Sequence, residues 1–74
     1  MGHLRLIRRQ GEMRYTSSEQ SALLSLLATL PGVSAAKIDE VHPKGGYRVS
    51  CCIATEAFDE VIASLAASDW MSAI

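Results

Sequence analysis

The chain has 74 residues, 49% of them hydrophobic and 20% charged, with a formal net charge of −1. That length supports one domain with one small core, and the composition excludes a disordered tail. No apolar run approaches the roughly 20 residues that span a bilayer, and no apolar h-region with a cleavage site opens the chain, so the expectation is a cytoplasmic, unprocessed protein without membrane contact.

The charge is unevenly spread. Arg5, Arg8, Arg9 and Arg14 face only Glu12 in residues 1–14, whereas Lys37, Lys44 and Arg48 face seven carboxylates in the rest. An acidic body repels phosphate backbones, so nucleic-acid binding would run through the arginine-rich start, with Arg5, Arg8 and Arg9 as the anion contacts.

Residues 3–9 alternate weakly and fit an edge strand, and Met13 to Thr16 offers a second short candidate. One of the two is expected to be the first strand. Residues 1–12 are accordingly read as a flexible basic extension or an edge strand, with translation from Met13 as a further possibility, and residues 13–74 as the single domain. A helix starts clearly at Thr16-Ser17-Ser18-Glu19-Gln20, where Thr16 with Glu19 and Ser17 with Gln20 form overlapping capping boxes. Leu23, Leu24, Leu27 and Leu30 then form a stripe at helical period with Ala22 and Ala28 beside it, and Pro31-Gly32 stops the helix.

Residues 33–41 read as a strand in which Ala36 and Ile38 share a face and Val41 falls out of phase, which predicts a bulge or an early end. After the breaker run His42-Pro43-Lys44-Gly45-Gly46, the residues Tyr47, Val49, Cys51 and Ile53 follow at strict period two, the second arm of a hairpin. Thr55 is placed to cap a second helix, with Glu56, Asp59 and Glu60 near its positive end and Phe58, Val61, Ile62, Leu65 and Ala66 as its apolar stripe. Residues 70–74 extend that helix or form a last strand with Trp70, Ser72 and Ile74 on one face. This order predicts an α+β domain of the ferredoxin-like, split βαβ plait, with an antiparallel sheet and two helices on one face. The fallback is an α-β-β-α core without the terminal strands.

No constellation marks catalysis. The Leu30-Pro31-Gly32-Val33 exit of the first helix is similar to that of heavy-metal-associated domains and amino-acid-binding regulatory plaits. A soft-metal carrier needs cysteines in the loop before that helix, and Tyr15-Thr16-Ser17-Ser18 has none. Cys51 and Cys52, being adjacent on a strand, point to opposite faces and cannot easily share an ion. They are also unsuited to a disulfide framework, which favours a reducing compartment. His3 reads as part of a mobile start and His42 as a solvated turn residue. Asp39-Glu40 and Asp59-Glu60 read as surface charges, and Lys44-Gly45-Gly46 lacks the spacing of a phosphate loop. No cofactor or metal is expected.

An RNA-binding plait would stack bases on aromatic residues of its open sheet face, where this chain offers Arg48, Ser50 and Cys52. Those three residues are the expected partner-binding surface. The functional expectation is a non-enzymatic protein-binding module, acting as a homodimer or as a regulator or inhibitor of a larger complex. Small acidic inhibitors of phages and mobile elements, anti-CRISPR proteins among them, fit the same description. A ligand-sensing regulatory plait and a weak nucleic-acid binder acting through the N-terminal arginines are the other readings.

Overall fold

The computed structural model describes residues 2–73. In chain order they form β1 (Gly2–Arg8), α1 (Ser17–Thr29), β2 (Val33–Val41), β3 (Tyr47–Ile53), a 3-10 turn (Thr55–Ala57), α2 (Phe58–Ala67) and β4 (Trp70–Ala73). The four strands make one antiparallel sheet in the order β2-β3-β1-β4. Since β3 is antiparallel to both β1 and β2, those two run parallel with β3 between them. By the same reasoning, β3 and β4 run parallel on either side of β1.

Each boundary has a local cause. The Thr16 hydroxyl accepts the Glu19 N–H at 3.1 Å and so caps α1, and Leu30 takes the extended geometry that a following proline enforces. β2 carries two register irregularities against β3, between Ser34 and Lys37 and between Ile38 and Glu40, with Ala35 at a φ of 54° in the first. These bulges put Val41 out of phase, and it is half exposed. The β2–β3 turn depends on Gly46, whose φ is +85° and where a Cβ would lie 2.5 Å from the Leu6 carbonyl oxygen.

The register places Leu4, Leu6, Tyr47 and Val49 on one sheet face. Leu6, Tyr47, Val49 and Trp70 share one buried cluster with Leu23, Leu27 and Leu30 from the α1 segment and with Val61 and Leu65 of α2, so both helices pack on that face. Truncating Leu27 or Leu65 to alanine is expected to cost about 2 to 5 kcal/mol, measured by urea melts. Ile62 is only half-buried and should cost less.

Several expectations need correction. Residues 2–8 are neither a flexible extension nor an edge strand: β1 lies inside the sheet, paired on both sides. Met13 to Thr16 is not a strand. Thr55 does not cap α2. It opens the 3-10 turn, and α2 begins after Ala57 without a side-chain cap. That turn shifts the helix start, leaving Phe58 at 44% exposure instead of in the core. Residues 70–73 form a strand and do not extend α2; Ile74 lies outside the described residues.

Candidate functional site

The face of the sheet opposite the helices is built by the other half of each strand's alternation. The register sets Arg5 opposite Arg48, His3 opposite Ser50, Ser50 opposite Lys37, and Ser34 opposite Cys52. Arg48 is exposed and Cys52 half-buried. Ser50 is not accessible: it retains 2% exposure. Its side chain is short, its neighbours are long, and its hydroxyl donates to Asp39 Oδ2.

Asp39 organises this centre. Its carboxylate accepts from Ser50 and lies 3.7 Å from Lys37 Nζ and 3.8 Å from His3 Nε2. The Ser50 hydrogen bond, helped by the cations nearby, holds its carboxyl below the ordinary aspartate value. His3 is therefore part of a strand and a charge cluster, not of a loose terminus. At the neighbouring β2–β3 pair, Arg48 Nη1 lies 3.6 Å from Glu40 Oε1, with both side chains about half exposed.

The three arginines proposed as anion contacts do not converge. Arg5 stands on the outer face, where its Nε donates to the Gly45 carbonyl at 2.8 Å and its Nη2 to that of Lys44. Arg8 lies on the helix side, in register with Trp70, with its guanidinium 4.2 Å from that ring and its Nε 3.5 Å from Glu19 Oε2. It is thus committed to an internal carboxylate. Arg9 is exposed in the following loop, where its backbone N–H donates to the Asp69 carbonyl.

The Glu19 network escaped sequence reading. The capping box identified the residue but not its burial to 5% exposure, at which its carboxylate accepts from the Tyr47 hydroxyl at 2.7 Å and from the Arg14 and Tyr15 N–H groups. Burial by itself would raise the Glu19 pKa. The three hydrogen bonds and the charge on Arg8 outweigh it and hold the carboxyl below its ordinary value. Burial and the Glu19 contact push the Tyr47 phenol upward. The network joins β1, α1 and β3 and faces the core, so it stabilises the frame under the outer face.

Cys51 is buried and Cys52 half-buried, and both are free thiols; burial pushes the Cys51 thiol up, away from the reactive thiolate. Among the described residues, no three His, Cys, Asp or Glu side chains are grouped to hold a metal ion. Nor is any helix long and apolar enough to cross a membrane. The chain matches no protein-family model, no curated protein and no solved structure.

Proposed function

We propose that this chain is a non-enzymatic protein-binding module that docks through the outer sheet face, with a second copy of itself as the simplest partner. We also read its architecture as the ferredoxin-like plait. The support for that reading is the interleaving of two β-α-β halves, β1-α1-β2 and β3-α2-β4, each with a strand of the other between its own two.

The observation that carries the docking reading is the face itself. Both helices cover the opposite side, so among the described residues no further layer covers the outer side, yet it carries charges of both signs. Lys37 and Arg48 alternate there with Asp39 and Glu40. A two-fold partner presenting the same patch can set each cation against a carboxylate, the self-complementarity that an isologous contact needs. The exposed Met71 and half-buried Cys52 add small apolar area. A regulator or inhibitor of a larger complex would use the same face against a heterologous surface. The two free thiols suit a reducing, cytoplasmic setting.

Arg48→Glu combined with Cys52→Glu should leave the monomer folded and weaken association, because Arg48 is exposed and Cys52 only half-buried, and new like charges oppose docking. The buried Ser50 is left untouched. Sedimentation at matched concentrations, with circular dichroism as folding control, reads the effect. Wild-type dimers that persist unchanged in the folded double variant would remove this face as the contact.

A further inference from the structure

The two outer strands of the sheet are β2 and β4, and their edges are built differently. β2 carries Lys37, Asp39 and Glu40 and breaks register twice against β3, the charges and irregularities that keep a foreign strand from pairing. β4 has no charge and no proline, and it keeps an unbroken register with β1. Among the described residues, no strand pairs with its other edge.

That edge has a definite hydrogen-bonding pattern. The Arg9 N–H donates to the Asp69 carbonyl at 2.9 Å, one step beyond the Arg8–Trp70 pair. Hydrogen-bonded pairs alternate along an antiparallel ladder, so those of β4 with β1 fall at Met71 and Ala73. The N–H and C=O groups of Trp70 and Ser72 therefore point to the open edge.

Apolar side chains border it above and below. On α2, Glu60 and Ser64 lie against Leu30 and Pro31 at the end of α1, whereas Phe58 lies beside Ser72 and Ala73, and Ala66 beside Asp69. Phe58, Ile62 and Ala66, at i, i+4 and i+8, thus form the flank of α2 along β4. Phe58 is 44% exposed there, and Met71 is exposed on the outer side of the strand. Asp59, with Glu56, makes the Ala73 end of this flank acidic, and both are exposed.

We infer that β4 accepts an added antiparallel strand from a different protein, an extended segment with apolar residues on one face and a lysine or arginine toward its N-terminal end. Main-chain bonds to Trp70 and Ser72 would hold it, the apolar face would cover Phe58 and Ile62, and the cation would meet Asp59. A second copy fits this edge less well: pairing β4 antiparallel with itself brings Asp69 of each copy toward Asp59 of the other. The inference is independent of docking on the outer face, since the strand adds beside the sheet and not over it.

The probe is the capped peptide Thr-Lys-Thr-Val-Thr-Val-Thr, whose lysine and valines share one face, titrated into the full chain where it sediments as a monomer. Amide shifts at Phe58, Trp70 and Ser72 should saturate together, and deuterium exchange at the Ser72 amide should slow as it becomes a ladder donor. N-methylation of the first valine should weaken binding roughly tenfold, because it removes one of the donors aimed at β4. Asp59→Asn should weaken it roughly threefold, the scale of an exposed ion pair. Ser72→Pro removes an N–H that the β1–β4 ladder does not use, so circular dichroism should show an intact fold while peptide binding is lost. The N-methylated peptide decides the matter without touching the fold. No saturating shift at β4, or undiminished binding of that peptide, would overturn the inference. Shifts at Ser72 and Phe58 that follow protein concentration without peptide would give the edge to a second copy instead.

Discussion

A chain lacking residues 1–12 is expected to show no cooperative unfolding transition in thermal or urea melts followed by circular dichroism. β1 separates β3 from β4, pairing with the first over Gly2 to Leu6 and with the second over Arg5 to Arg8. Its loss leaves β4 without a partner strand and exposes Tyr47, Val49 and Trp70, which are at most 3% exposed in the intact fold. Leu6, fully buried, would by itself cost about 2 to 5 kcal/mol on truncation. A domain of this size has a total of roughly 4 to 11 kcal/mol, at the usual 0.05 to 0.15 per residue. A truncated chain that melts cooperatively would refute this account of the sheet. A nucleic-acid role for the N-terminal arginines must therefore be tested by point substitution, with Arg9→Gln the least disruptive because Arg9 is exposed.

Glu19→Ala is expected to destabilise the protein by about 2 to 4 kcal/mol at neutral pH, since it strands one buried and two part-buried hydrogen-bond donors and an ion-pair partner at once. The Tyr47 hydroxyl and the Arg14 and Tyr15 N–H groups lose their acceptor. Arg8 loses its counter-charge but keeps 24% side-chain exposure, which holds the loss below that of a fully enclosed pair. The pH dependence follows from the lowered pKa. A depressed carboxylate contributes stability above its unfolded pKa and loses it as pH falls through the folded value, so the contribution disappears on acidification below the ordinary glutamate range. Asp39 shifts the same way and adds to the acid sensitivity. Glu19→Gln should flatten the Glu19 part of that profile and leave the Asp39 part. Urea midpoints at pH 7 and pH 3 measure both, and a Glu19→Ala midpoint matching wild type would contradict the network's role.

The elements that were legible in the sequence are those whose residues obey one period without interference. β3 shows strict alternation and α1 has its capping boxes and leucine stripe, and both appear where those signals place them. β1 was harder because its pattern is inverted at one end: Arg8 turns toward the helices to meet Glu19 and Trp70, while apolar Ile7 lies on the other face. Read as a sequence, that end looks like a solvated basic tail. The start of α2 is not legible in the sequence because apolar periodicity does not reveal the 3-10 turn before it, and Phe58 stands 44% exposed outside the core. Alternation assigned Arg48, Ser50 and Cys52 to one face, but not how neighbouring side chains cover a short one. Ser50 disappears beneath Asp39 and its surroundings for that reason. The Arg5–Arg48 juxtaposition joins residues 43 positions apart and depends on the β1–β3 register, which no local pattern specifies.

The outer sheet face as the docking surface is tested most directly by following backbone amide shifts of the full chain on dilution from millimolar to low micromolar concentration. The expected result is a set of concentration-dependent shifts centred on Lys37, Asp39, Arg48 and Cys52, with the exposed sides of α1 and α2 unchanged. Shifts centred on the helices, or none anywhere over that range, would contradict the proposal that a second copy docks on this face.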